Sequence, residues 1–357
     1  MTPPVCGASI SAVGGALPKL RGWLAVQRGV ENAVPRRRVW WIMQVVIRSS
    51  GERIGWADLP DAVRVAAEAI IGDRVIEAVS QVGGFSPGTA DRVRTTSGRR
   101  AFVKAVSPRL NERSAELHRR EARVTASLPA GVPAPRLLGV HDDGDWVALV
   151  LEDVEGCHPV TPWRTQQLTA VLAALGTLAE HDVAPALKDL PETGSDLAED
   201  LRGWQRIAID PPEALDPWTQ AHLPTLVALA ERAPAILTGD SLVHTDIRAD
   251  NLLVRPDGTV VVVDWPWASR GPAWFDTLTV LVDVNLYGGH DVDALLSAHT
   301  PAGVDPDDLT AVLVGLAGYF LDSARQPAPA GLPTVRAFQA AEGAAVLSWI
   351  RHRLNTF

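Results

Sequence analysis

Nothing in this chain constrains its fold more than the stretch from His244 to Asn251 and the aspartate thirteen residues beyond it, Asp264. The stretch reads H-x-D-x-x-x-x-N. Two runs rich in β-branched residues follow, separated by Arg255-Pro256-Asp257-Gly258. That tetrapeptide marks a tight turn, so the spacing predicts a β-hairpin over 252–263. A hairpin brings its ends together, which places Asn251 at the entrance beside Asp264 at the exit. An amide oxygen next to a carboxylate suits Mg²⁺, a hard ion that takes oxygen ligands and completes its shell with phosphate and water. Asp246 lies on the same loop, close enough to meet a hydroxyl beside a metal-bound phosphate. Any one of these residues alone would read as part of an acidic surface loop. All three on converging backbone read as a site.

A length of 357 residues and a hydrophobic content of 46% allow two lobes with sizeable cores. A net charge of −9 gives no electrostatic footprint for nucleic acid or an anionic membrane. Cys6 and Cys157 lie far apart, a pattern that fits a reducing cytoplasm better than a disulfide scaffold. No apolar run reaches the ~20 residues of a membrane span, and the first residues lack the basic start of a secretory signal. Residues 1–42 are rich in glycine, proline and small residues, without sustained periodicity. They read as a disordered extension or an over-called start, with a regulatory tail as the other possibility. A coherent pattern begins just after Met43, with an N-terminal helical segment over 43–74.

A sheet-rich lobe is expected over 75–154. The helical pattern through Val63, Ala67, Ile70 and Ile71 gives way to a strand at 75–82. The glycine-rich turn Gly83-Gly84-Phe85-Ser86-Pro87-Gly88 leads to strands at 90–94 and 101–106, the last carrying Lys104. Glycines let backbone N–H groups close on phosphates, although this turn reads equally as a plain hairpin. In the helix at 112–127, Leu117, Val124 and Leu128 form an apolar stripe that includes Glu121. An inward carboxylate needs a cation, and Lys104 is the nearest expected, with Arg119, Arg120 and Arg123 as the alternatives; Glu112 and Glu116 read as solvated. Strands at 136–141 and 146–151 complete the lobe. The acidic segment Glu152-Asp153-Val154-Glu155-Gly156 follows as a connector, whose extended backbone, at Glu152 and Val154, can read an adenine edge.

From about 155 the pattern is helical almost to the end, clearest at 163–181, 216–235, 306–325 and 332–353. The loop and hairpin and the segment 265–276 are the exceptions. Between 190 and 310 twenty acidic residues face six basic ones, an excess that reads as surface solubility more readily than as a collector of cationic substrate. His141, His158, His181 and His222 are isolated and do not suggest zinc.

Lys104, an inward Glu121, a short acidic connector, H-x-D-x-x-x-x-N and a hairpin ending in aspartate together resemble the aminoglycoside phosphotransferase family. The likeness covers roughly 75–350. It implies the bilobal α+β fold of protein kinases, with a small five-stranded antiparallel lobe and a larger helical lobe. By motif position it implies Asp246 as the catalytic aspartate, Asn251 and Asp264 as Mg²⁺ ligands, and Lys104, braced by Glu121, on the α/β-phosphates of ATP. Residues 83–88 would cover the nucleotide, His244 would fix the loop, Asp276 would buttress it, and Arg248 would lie near the γ-phosphate. Three departures stand out: Thr245 where the family usually has glycine, Asp250 where glycine is common, and Pro266 in place of the glycine of D-F-G. None removes a group the transfer needs. Only eleven residues separate Asp264 from Asp276, too few for a protein-kinase activation loop. The expectation is therefore a cytoplasmic kinase acting on a small hydroxylated molecule. A nucleotide-binding pseudokinase is disfavoured by the presence of Lys104, Asp246, Asn251 and Asp264.

Overall fold

The computed structural model describes residues 54–81, 88–329 and 332–354. The expectations for residues 1–42 and for Gly83, Gly84 and Ser86 fall outside them. Helix α1 (Asp61–Ile71) forms because Val63, Ala67 and Ile71 recur every four residues, and all three are buried. Gly72 ends it in the left-handed region at φ 78°, with its N–H closing on the Glu68 carbonyl.

Five strands follow, with one helix among them: β1 (Val75–Ser80), β2 (Thr89–Thr95), β3 (Arg100–Val106), α2 (Glu112–Ser127), β4 (Leu137–Asp142) and β5 (Val147–Glu152). They make one antiparallel sheet in the order β1-β2-β3-β5-β4. Alternation sends Val93, Ala101, Val103 and Val150 to one face, packed with Ala67 and Ile71 of α1. Val106, Leu149 and Leu151 take the other face, against Ala115 and Ala122 of α2. Both faces of the sheet are thus covered by a helix. Helix α2 has the expected bounds, but its centre of burial differs. Ala115, His118, Glu121, Ala122 and Thr125 are buried beside Val124, whereas Leu117 and Leu128 are only half-buried. The sheet face against the helix carries Val106, Leu149 and Leu151, and the small residues Ala115 and Ala122 of α2 pack on it.

The second lobe holds α3 (Thr165–Ala179), α4 (Thr193–Leu197), α5 (Gly203–Ile209), α6 (Pro217–Ile236), β6 (Ser241–Val243), β7 (Leu252–Val254), β8 (Val260–Val262), β9 (Ser269–Gly271), α7 (Phe275–Tyr287), α8 (Val292–His299), α9 (Pro306–Ala324) and α10 (Val335–Leu354). One core joins these elements, with Trp204, Trp265 and Phe275 fully enclosed. The four helices expected from periodicity are α3, α6, α9 and α10. Helix α7 was not singled out, because it is buried nearly all round and has no polar stripe to set a period. The segment around 265–276, an expected exception to the helical pattern, contains β9, which pairs antiparallel with β6. Three-residue strands carry too few positions for alternation to register. Strands β7 and β8 form the predicted hairpin, pairing Leu252 with Val262 and Val254 with Val260. Cys157 is in a disulfide, so the cysteine count supports no reading of redox compartment. Among the described residues no helix is long and apolar enough to cross a membrane.

Candidate active site

The hairpin does what its sequence demands. The Val263 N–H donates to the Asn251 carbonyl at 2.9 Å, so the backbone places Asp264 one residue beyond a direct partner of Asn251. Strands β6 and β9 hold the other side of the loop. Between them runs His244–Asn251, whose conformation is set by buried hydrogen bonds. Asp276, at the start of α7, accepts the His244 N–H at 2.7 Å and the Thr245 N–H at 2.9 Å. Burial pushes the Asp276 carboxyl up, opposed by His244 and by these two N–H groups. His244 is fully buried. Its Nε2 lies 3.0 Å from the Val263 carbonyl, which can only accept, so Nε2 carries the proton and Nδ1 accepts the Asp246 N–H at 3.3 Å. Burial, opposed by Asp276, holds the imidazole's pKa below its ordinary value. The ring is a neutral strut tying the loop to the hairpin.

Thr245 explains one departure from the family pattern. Its φ is 76°, a left-handed conformation that glycine adopts freely and a β-branched residue does not. The Thr245 hydroxyl lies 2.8 Å from the Ser269 hydroxyl, which in turn lies 2.7 Å from that of Thr193. This chain of hydroxyls, with Asp276, holds threonine where glycine is common. Asp264 is also left-handed, at φ 69°. Strain at both positions turns the chain so that loop and hairpin end meet.

Lys104 reaches that meeting point from β3. Its Nζ lies 2.8 and 3.0 Å from the two Glu121 carboxylate oxygens and 2.8 Å from Asp264 Oδ1. Glu121 thus pairs with Lys104, not with the arginines of its own helix. Burial works against the ammonium, but the two carboxylates outweigh it and raise the lysine's pKa. Burial also pushes up Asp264, and here Lys104 prevails, holding the carboxyl at about 2. For Glu121 burial prevails over Lys104, and the carboxyl rises to about 7. One ammonium between two carboxylates is thus ionised together with Asp264.

Asp246 is approached on both oxygens. Arg248 Nη1 donates to Oδ1 at 2.8 Å, and Asn251 Nδ2 donates to Oδ2 at 3.1 Å and to the Asp246 carbonyl at 2.8 Å. The last contact fixes the amide, because only its nitrogen can donate to a carbonyl, and so leaves Asn251 Oδ1 as the end able to ligate a cation. Burial lifts the Asp246 carboxyl to about 6, against the pull of Arg248. The Arg248 guanidinium also bonds Asp250 at 3.1 and 3.3 Å and lies over the Phe338 ring, 5.6 Å from its centroid. Asp250 is therefore part of the network that orients Arg248.

Two acidic residues that sequence reasoning passed over flank this loop. Asp283 of α7 is buried and accepts the Trp163 indole N–H at 2.9 Å. Glu342 of α10 is buried and interacts electrostatically with Arg248, Asp246 and Asp250. Burial raises both carboxyls, that of Asp283 to about 7. No local sequence pattern sets either acid apart: α7 also carries Asp276, and α10 also carries Arg336, Gln339 and a basic last turn.

Of the remaining expected residues, Gly88 opens β2 at φ 105°, and a Cβ there would lie 2.4 Å from the Ala105 carbonyl oxygen. Only glycine lets β2 and β3 approach so closely. The Glu152 N–H donates to the Arg136 carbonyl at 2.8 Å, while Val154 is buried just beyond the sheet. No cluster of three or more His, Cys, Asp or Glu suited to a metal occurs among the described residues. Two open hollows of about 530 and 540 Å³, one containing Arg232 and Trp274 and the other Arg109 and Trp146, include none of residues 244–251.

Lobes of this kind, joined at a lysine–aspartate contact over an H-x-D-x-x-x-x-N loop, define a protein-kinase-like fold. The model of the phosphotransferase enzyme family, APH, matches residues 83–311, and the chain belongs to that family. A comparison with curated proteins gives no match. Among solved structures, APH(2")-IIia in complex with GDP and kanamycin is similar at 15% identity and a TM-score of 0.56, over 83% of this chain and 99% of that one. The spectinomycin phosphotransferase APH(9)-Ia, in complex with ADP and its antibiotic, is similar at 15% identity and 0.53, over 83% and 94%. Choline kinase LicA from Streptococcus pneumoniae is similar at 12% identity and 0.53, over 80% and 98%. At these identities the likeness is one of fold.

Proposed function

We propose that this protein is an ATP- and Mg²⁺-dependent O-phosphotransferase that moves the γ-phosphoryl group to a hydroxyl of a small metabolite or antibiotic. One observation carries the reading: Lys104, paired with Glu121 from the sheet lobe, meets Asp264 at the exit of the hairpin whose entrance, Asn251, is bonded to Asp246. Phosphoryl transfer asks the protein for positioning and charge stabilisation and for little covalent chemistry, and this cluster supplies both. Asp246 accepts the proton of the attacking hydroxyl. Its raised carboxyl, at about 6, is still ionised at neutral pH and closer to the working range than a free aspartate. Lys104 holds the α/β-phosphates, kept in place by Glu121. Asn251 Oδ1 and the Asp264 carboxylate would hold Mg²⁺, which when bound neutralises charge on the transferring group. Arg248, oriented by Asp250, lies on the phosphoryl side of Asp246. The acceptor would bind beside this loop, toward α7 and α10. The fold does not settle the acceptor. The test is a screen of hydroxylated antibiotics and metabolites for acceptor-stimulated ADP release. A compound that raises ADP release and gains one phosphoryl group supports the reading. Nucleotide binding with no acceptor in a broad panel would favour a regulatory module instead.

A further inference from the structure

We propose that Arg92 selects the purine, making the site take adenine nucleotides in preference to guanine nucleotides by occupying the carbonyl of Val154. The proposal rests on the phosphotransferase reading and deepens it by naming the residue that selects adenine over guanine. In the β2–β3 ladder Ala90 faces Lys104 and Arg92 faces Phe102. Alternation therefore sends the side chains of Arg92 and Lys104 to the same face of the sheet. From there Arg92 crosses to the connector. Its Nε lies 2.6 Å from Asp153 Oδ1 and its Nη2 lies 2.8 Å from the Val154 carbonyl. Arg100, on β3, binds the second oxygen of the same carboxylate at 2.6 Å. The Asp153 side chain is only 3% exposed, so two guanidinium groups fix the start of the connector through one buried acid.

Val154 then offers a purine an asymmetric edge. Its carbonyl is taken. Its N–H has no acceptor among the described residues although the residue is 5% exposed, and a buried donor of this kind wants a partner. Adenine presents an acceptor at N1 flanked by C2–H, which asks nothing of the neighbouring carbonyl. Guanine carries a hydrogen on N1, so its acceptor is O6. Placing O6 on the Val154 N–H brings guanine N1–H against the Val154 carbonyl. A carbonyl has two lone pairs, but a charged N–H donor at 2.8 Å opposes a second donor arriving from the base. An unpaired buried donor costs about a factor of ten or more in affinity.

The experiment measures binding of magnesium ADP and magnesium GDP to the full chain by calorimetry, for the parent, Arg92→Met and Arg100→Met. The parent is expected to bind ADP about tenfold or more tighter than GDP. Arg92→Met keeps the stem but frees the Val154 carbonyl, and should shrink that ratio severalfold, mainly by tightening GDP. Arg100→Met loosens the Asp153 tether but leaves Arg92 on the carbonyl, and should keep the parent's ratio. Arg92→Lys, with one donor group, should fall between and serves if Arg92→Met does not fold. Equal affinities in the parent, or an unchanged ratio in both Arg92 variants, would overturn the assignment while leaving the phosphotransferase reading intact. Failure of the parent to bind either nucleotide would overturn that reading and the proposal with it.

Discussion

Replacing Asp246 by asparagine is expected to stabilise the protein while disabling it. The carboxyl rises from 3.8 to about 6 because burial outweighs the attraction of Arg248. A shift of that size corresponds to about 3 kcal/mol between the ionised and neutral forms. It is an upper value, since 29% of the Asp246 side chain meets solvent. Because the folded pKa lies above the unfolded one, the favourable contribution is fully present below pH ~4 and is lost as pH rises through ~6. Above that, the folded protein carries the cost of an ionised acid in a poorly solvated place. Asparagine retains the volume and an oxygen for Arg248 and never ionises; its amide nitrogen gives up the acceptor for Asn251 Nδ2, which keeps its bond to the residue-246 carbonyl. Thermal unfolding of both proteins without nucleotide, from pH 4 to 8, should therefore show melting temperatures that nearly coincide at pH 4. They should separate through pH 5 and 6 in favour of the variant. Turnover with the best acceptor should fall by about 10²–10⁴-fold, the usual worth of a general base. An Asn variant that is less stable than the parent at pH 8 would refute the electrostatic argument. One that keeps the parent's turnover would refute the assignment of the base.

Removing the Asp276 carboxylate should leave two buried backbone donors, those of His244 and Thr245, without a partner. Asp276→Ala is expected to cost roughly 2–5 kcal/mol in denaturant unfolding, and a loss below about 1 kcal/mol would show that Asp276 does not hold the loop. For Asp283, whose carboxyl burial lifts to about 7, the stabilising contribution is lost as pH rises through 7. Asp283→Asn keeps an acceptor for Trp163 and should therefore gain melting temperature over the parent from pH 6 to 9 but not at pH 4. A difference that does not vary with pH would contradict this.

The convergence of Asp246, Asn251 and Asp264 was legible because it is local. Asp246, Asn251 and Asp264 lie within nineteen positions of one another, on a loop and hairpin whose turn residues announce themselves. The Lys104–Glu121 pair was legible for a different reason: a carboxylate on the inward side of a helix demands a cation, and the strand beneath offered one. Residues whose roles arise only from distant packing were not legible. Asp283 and Glu342 come from α7, which periodicity does not single out, and α10, which reads only as a helix, and no local pattern says that both close on Arg248. The Arg92–Asp153 contact spans 61 positions and depends on strand register, which the sequence left open. Thr245 had been a puzzling departure from glycine. Its hydroxyl contacts with Ser269 and its N–H bond to Asp276 show what holds it, through the β6–β9 pair that three-residue strands kept hidden. Leu117 misled because it marked a stripe that small side chains occupy instead.

The hairpin is proposed to bring Asn251 and Asp264 to one magnesium ion beside Asp246, and a magnesium titration of ATP turnover in the parent, Asn251→Ala and Asp264→Ala tests this most directly. A carboxylate binds the cation by charge as well as by its lone pairs, whereas an amide oxygen offers a dipole. High magnesium should therefore rescue Asn251→Ala in part and Asp264→Ala hardly at all. Equal rescue of the two variants, or a parent whose turnover does not depend on magnesium, would contradict the account.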